Sequence, residues 1–185
     1  MRLFNTLTRQ VEDLRPLEKG RVKMYTCGPT VYRPVHIGNL RTFLLSDLVR
    51  RAAEFEGYEV HQVINITDVG HMVDESSAAG VDKMELAAGD EGLSPWEIAE
   101  RYTQMFLEDT ATIRMKPAHA YPKATDHIPE MHQLIQELID RGHAYVLDDG
   151  TVYFDVRSFD GYGALSRNTL DKLQPGHRDL EQDPR

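Results

Sequence analysis

Cysteine is all but missing from this chain: Cys27 is the only one in 185 residues, so no internal disulfide can form and the fold must rest on its core. Positive charge is also scarce. Lys and Arg number 21 against 30 Asp and Glu, a formal net charge of −9, which excludes a global basic field for holding nucleic acid nonspecifically. Any RNA contact has to be local and shape-specific. No apolar run approaches the roughly 20 residues a membrane span needs. The opening MRLFNTLTRQ has neither the apolar centre of a secretion signal nor a cleavage site. These absences predict a soluble protein of the reducing cytoplasm with no membrane partner; a monomer is expected. What is present is a 41% hydrophobic fraction, enough for the core of one domain or of one domain with an insertion.

The stretch Met24 to Thr42, MYTCGPTVYRPVHIGNLRT, reads as a strand entering a Gly/Pro-punctuated loop that opens a helix, with His36, Gly38 and Asn39 at the opening. Gly38 permits close approach of a ligand to the backbone, and the free N–H groups of a helix start favour an anion such as phosphate. This is a candidate nucleotide site. Cys27 lies at the end of the expected strand, where open α/β sheets place their ligands, so Cys27 and His36 are expected to face one pocket.

Around that stretch, the spacing of apolar residues sets out the rest. Residues 1 to 20 read as a packed N-terminal arm and Val22 to Cys27 as a strand. Leu40 to Glu56 is expected to be a helix burying Leu40, Phe43, Leu44, Leu48, Ala52 and Phe55, stopped by Gly57. The β-branched run Tyr58 to Ile66 is a second strand, which makes a right-handed parallel βαβ unit. Asn65, Thr67 and Asp68 at its end are candidates for substrate contact, with Asp68 as readily a brace. His71 to Pro95 is a polar excursion holding one short helix. Trp96 to Ile113 is an amphipathic helix with Ser94 as N-cap and Pro95 at its first position. After Pro117, a helix from Asp126 to Gly142 with Ile128, Met131, Leu134, Ile135, Leu138 and Ile139 on one side precedes a hairpin, Ala144 to Leu147 and Thr151 to Val156. From Leu173 the chain turns polar. The division expected is 1–117 and 118–185, the second part being an inserted α+β element with the end of the chain.

The run of LFNTLTRQ (3 to 10), MYTCGPTVY (24 to 32), HIGNLRTF (36 to 43), NITDV (65 to 69), PKAT (122 to 125), GHAYV (142 to 146) and YGALS (162 to 166) resembles the cysteinyl-tRNA synthetases. These are class I enzymes whose His-Ile-Gly-His marker stands here as His36-Ile37-Gly38-Asn39. The resemblance implies an α/β fold: the first half of a Rossmann-like nucleotide-binding domain, a parallel βαβ, with part of an inserted connective domain. It implies activation of L-cysteine with ATP and Mg2+ to cysteinyl-adenylate, then transfer to the 3′ end of tRNA(Cys). His36 and Asn39 are then catalytic and, with Gly38, bind ATP. Gly28, Thr30 and Thr67 line the amino-acid pocket, and Cys27 is one of four Zn2+ ligands. Zinc takes thiolate strongly and hydroxyl poorly, so it separates cysteine from serine. The other three ligands and the Lys-Met-Ser-Lys-Ser loop have no counterpart in these residues; Lys83-Met84 echoes that loop in composition only. An amino-terminal portion of such an enzyme is therefore expected. The alternatives are the related cysteine ligase of mycothiol synthesis and a non-catalytic RNA- or partner-binding module. His119, His127, His132 and His143 read as packed or solvated histidines, because the five-residue step from His127 to His132 misses the helical pairing of two ligands.

Overall fold

The computed structural model describes residues 1–69 and 83–167. It begins with an antiparallel hairpin, β1 (Arg2–Asn5) and β2 (Gln10–Asp13), in which Phe4 faces Val11. The turn closes on Asn5, whose side-chain oxygen accepts from the Leu7 N–H at 2.9 Å while its carbonyl accepts from Arg9 at 2.7 Å. Phe4, Leu7 and Val11 remain exposed, so the expectation of a packed N-terminal arm holds only where Met1 and Leu14 pack against Val22, Ala53 and Val60, and the hairpin between them is a more open ribbon.

Two compact units divide the chain: Met1 with Leu14–His132, and Arg2–Asp13 with Gln133 onward. In the first, β3 (Arg21–Thr26), α1 (Ile37–Phe55) and β4 (Glu59–Ile64) follow one another, and β3 pairs parallel with β4 from Arg21↔Glu59 to Thr26↔Ile64. A third extended segment lies along β4, where His119 donates to Gln62 and Ile64 to Ala120, and Ile66 donates to Pro122. α2 (Lys83–Glu91) and α3 (Pro95–Thr112) complete it. The expected excursion is described only from Lys83, where α2 begins; its earlier part, from residue 70 to 82, and the polar end from 168 onward lie outside the described residues.

α3 starts as its sequence requires. Ser94 Oγ accepts from the Glu97 N–H, the Glu97 carboxylate accepts from the Ser94 N–H at 2.8 Å, and Pro95 occupies the first turn. Its inner face, Ile98, Ala99, Tyr102 and Phe106, packs with Val31, Phe43, Ile64 and Ile66 into the main core. There the Phe43 and Phe106 rings meet edge to face at 5.0 Å.

α1 buries the first half of the face its apolar spacing indicates, with Phe43 in the core and Leu44 packed against it, and departs from that face further along. Phe43, Asp47, Arg50 and Ala53 are buried, whereas Leu48, Ala52 and Phe55 are exposed, Phe55 at 93%. The reason is a polar network reaching residues 114–117. Asp47 accepts from Arg51 Nε at 2.6 Å and from the Lys116 N–H at 3.0 Å, while Arg50 donates to the Pro117 carbonyl at 2.8 Å and to Glu54 at 2.9 Å. Buried charge is tolerable here because each group is paired and hydrogen-bonded.

α4 (Ile128–Asp140) follows a 3-10 turn at Ala124–His127; on its apolar side Leu138 and Ile139 are half-buried, while Ile128, Met131, Leu134 and Ile135 are exposed. In the second unit β5 (Ala144–Val146) and β6 (Val152–Phe154) form the expected hairpin. Gly150, at φ +87°, takes the left-handed position of its turn.

Candidate nucleotide site

β3 and β4 end side by side, and the segments beyond them stay bonded. Val31 donates to the Thr67 carbonyl at 3.1 Å and Thr67 to the Pro29 carbonyl at 3.0 Å. At the point of closest approach is Gly28. A Cβ on Gly28 would lie 1.6 Å from the Asn65 carbonyl oxygen, so no side chain fits. Asn65 fastens the contact: its Oδ1 accepts from the Gly28 N–H and the Tyr25 hydroxyl, both at 2.8 Å, and its Nδ2 donates to Thr67 Oγ1 at 3.2 Å. A backbone N–H can only donate, which fixes the orientation of the amide.

The helix mouth is built by the motif itself. His36 is the N-cap of α1; its Nδ1 accepts from the Asn39 N–H at 3.3 Å, and the His36 N–H donates to Asn39 Oδ1 at 3.2 Å. This reciprocal cap satisfies one of the free donors of the first turn. It also sets chemical polarity. A ring nitrogen that accepts holds no proton, so the neutral His36 ring carries its hydrogen on Nε2, and Asn39, with Oδ1 engaged, keeps its NH2 as a donor. A Cβ on Gly38 would stand 3.0 Å from His36 Cε1 and Nδ1, so a side chain there would crowd the capping ring.

His36, Asn39, Gly28 and Thr30 come together on one cavity of about 240 Å3, with Phe43 carrying it into the core. Cys27, Gly38 and Thr67 do not line it. Cys27 is exposed, with Sγ 3.8 Å from the Gly28 carbonyl. Asn65 and Asp68 turn their polar atoms onto the protein: Asp68, 6% exposed, accepts from the Thr125 N–H at 3.1 Å and its hydroxyl at 2.6 Å. The residues after β4 are therefore a cross-brace between the loop at 28–31 and the segment at 120–125. Arg33 and Tyr32 also line the cavity, and the reading of the motif passed over them. The available signal was that Arg33 is the only cationic residue between Lys23 and His36.

Among the described residues no group of three or more His, Cys, Asp or Glu converges in a way that could hold a metal ion. Cys27 stands there as a single donor, which does not fit a four-coordinate zinc site. Of the histidines, His119 lies 4.7 Å from His61, ring to ring, and accepts from the Gln62 N–H, and His143 is bonded to Ser158 Oγ. No helix among the described residues is long and apolar enough to cross a membrane.

Residues 13–185 match the family described as tRNA synthetases class I (C) catalytic domain. Among curated proteins the chain is 45% identical over 188 residues to a cysteine–tRNA ligase of Lachnoclostridium phytofermentans, covering 100% of this chain and 37% of the relative. It is 43% identical to those of Salinibacter ruber and Methanococcus maripaludis strain C7, with 99% and 96% of this chain covered and 36% and 35% of the relatives. The chain thus spans little more than a third of the length of the curated relatives it matches. With most of its length matched, the chain belongs to the family of class I (C) tRNA synthetase catalytic domains.

Proposed function

We propose that this chain supplies the nucleotide-binding end of a cysteine–tRNA ligase, as the first, Rossmann-like half of its catalytic domain followed by part of the inserted connective element. The observation that carries this reading is the reciprocal cap of His36 and Asn39, set on a cavity at the carboxyl ends of two parallel strands. In the activation step a carboxylate oxygen of L-cysteine attacks the α-phosphorus of ATP, the bond to the bridging oxygen breaks, and pyrophosphate leaves. A hydroxyl of the terminal adenosine of tRNA(Cys) then takes the cysteinyl group, releasing AMP.

His36 and Asn39 contribute donors held in place before the substrate arrives, so charge growing on the α-phosphate oxygens meets Nε2–H and amide N–H groups without reorganisation. Gly28 and Thr30 shape the wall beside them, and Thr67 is fixed through Asn65. ATP enters with Mg2+ as substrate. No step is assigned to zinc, because the described residues bring one sulfur and no further donor to it.

The test is binding of ATP with Mg2+, measured with this chain and with His36→Ala. Binding by the wild type that weakens in the variant is expected if the polarised cap meets the phosphates. ATP binding unchanged in His36→Ala, or a folded wild-type chain that does not bind ATP, would overturn the proposal.

A further inference from the structure

In a chain carrying a net charge of −9, the cavity at the mouth of α1 has no Asp or Glu among its described lining residues. Its one full-time cation is Arg33, three residues before the cap. The guanidinium carbon rests 5.1 Å from the centre of the Tyr32 ring, which holds the group at the cavity by cation–π attraction. Among the described residues no carboxylate pairs with Arg33, in contrast to Arg21, Arg50, Arg51 and Arg101. A cation held beside fixed N–H donors, with no carboxylate among the described residues to neutralise it, is set for an anion from outside. At about 240 Å3 the cavity falls below the roughly 300–1,000 Å3 of pockets that enclose a whole drug-sized ligand, so it suits one segment of a nucleotide.

We propose that Arg33 is a polyphosphate-binding residue, gripping the β- and γ-phosphates of ATP while His36 and Asn39 attend the α-phosphate. The inference rests on the nucleotide reading above and adds a residue to it. The guanidinium's planar fork matches two phosphate oxygens at once, which a lysine at the same place does not. After the α-phosphorus is attacked, the same contact lies on the departing pyrophosphate and compensates its charge.

The experiment is titration of the 185-residue chain with ATP, AMP and adenosine, for the wild type, Arg33→Ala and Arg33→Lys, followed by NMR with far-UV circular dichroism as the check of folding. Arg33 is exposed, so both variants should keep the wild-type spectrum. Arg33→Ala is expected to weaken ATP about fivefold, AMP less and adenosine not at all, with Arg33→Lys between and the difference shrinking at high salt. Wild-type affinity for ATP in Arg33→Ala, or an equal loss for adenosine, would overturn the assignment of Arg33 and leave the nucleotide reading standing. Failure of the wild type itself to bind ATP would overturn both.

Discussion

Replacing Gly28 by alanine tests the geometry of the site at its tightest point. The added Cβ would sit 1.6 Å from the Asn65 carbonyl oxygen, 2.7 Å from its carbonyl carbon and 3.0 Å from Ile64 Cγ2. Two of these three obstacles are backbone atoms just past the end of a paired strand, and no rotamer change clears them. The segments after β3 and β4 must therefore move apart by more than 1 Å, about what separates the clash from the closest contact real Cβ atoms tolerate. That movement strains the Gly28 N–H to Asn65 bond of 2.8 Å and the bonds between Val31, Thr67 and Pro29. Overpacking of this kind costs about 1–3 kcal/mol, and loss of one buried hydrogen bond about 1 kcal/mol more, so Gly28→Ala should destabilise the first unit by about 2–4 kcal/mol. Urea unfolding followed by the fluorescence of Trp96, which lies on α3 in that unit, reads it. Gly57→Ala serves as the contrast, since its Cβ meets nothing within 4 Å and only its φ of +89° is strained. A Gly28→Ala protein within 0.5 kcal/mol of wild type would refute the close approach, given that changes of that size are ordinary at unconstrained surface positions.

Two further outcomes follow from the polar side of α1. Asp47→Ala removes the acceptor of the Lys116 N–H and the partner of Arg51, which is 43% exposed and can partly rehydrate, so a loss of about 2–3 kcal/mol is expected in urea unfolding, with Asp47→Asn milder. Glu54 is held below its ordinary value of 4.5 by the hydrogen bond from Lys116 first and that from Arg50 second. A depressed folded value means the contribution is fully present above 4.5 and disappears as pH falls through the lowered value. Wild type should therefore outlast Glu54→Gln at neutral pH and converge with it in acid, and a pH-independent gap would contradict the pairing.

What could be read from the sequence was whatever depends on near neighbours. Ser94, Pro95 and Glu97 cap α3 within four residues, and the start of α3 appeared where they indicated. β3, α1 and β4 were legible for the same reason, each signalled by its own periodicity. The buried face of α1 was legible only at Phe43 and Leu44, because further along Asp47 and Arg50 are drawn inward by partners at 116 and 117, more than sixty residues away. Hydrophobic spacing has no means of expressing that. Their place at a strand end marks Asn65 as a substrate contact and Asp68 as a contact or a brace alike. Their partners, Gly28 at 37 residues and Thr125 at 57, turn them into braces. His36 and Asn39 combine both kinds of signal: the spacing that marks them as a motif is also the N-cap to N3 spacing, so the capping role and the ligand role use different atoms of the same side chains.

The central claim is that the cap polarises His36 for an anionic ligand. Nitrogen-15 NMR of the histidine side chains, with His36 assigned through His36→Ala, measures it directly. The account predicts an unprotonated Nδ1 and a protonated Nε2 in the free chain, with Nε2 shifting when ATP and Mg2+ are added. A ring carrying its proton on Nδ1, or an Nε2 signal indifferent to ATP, would contradict it.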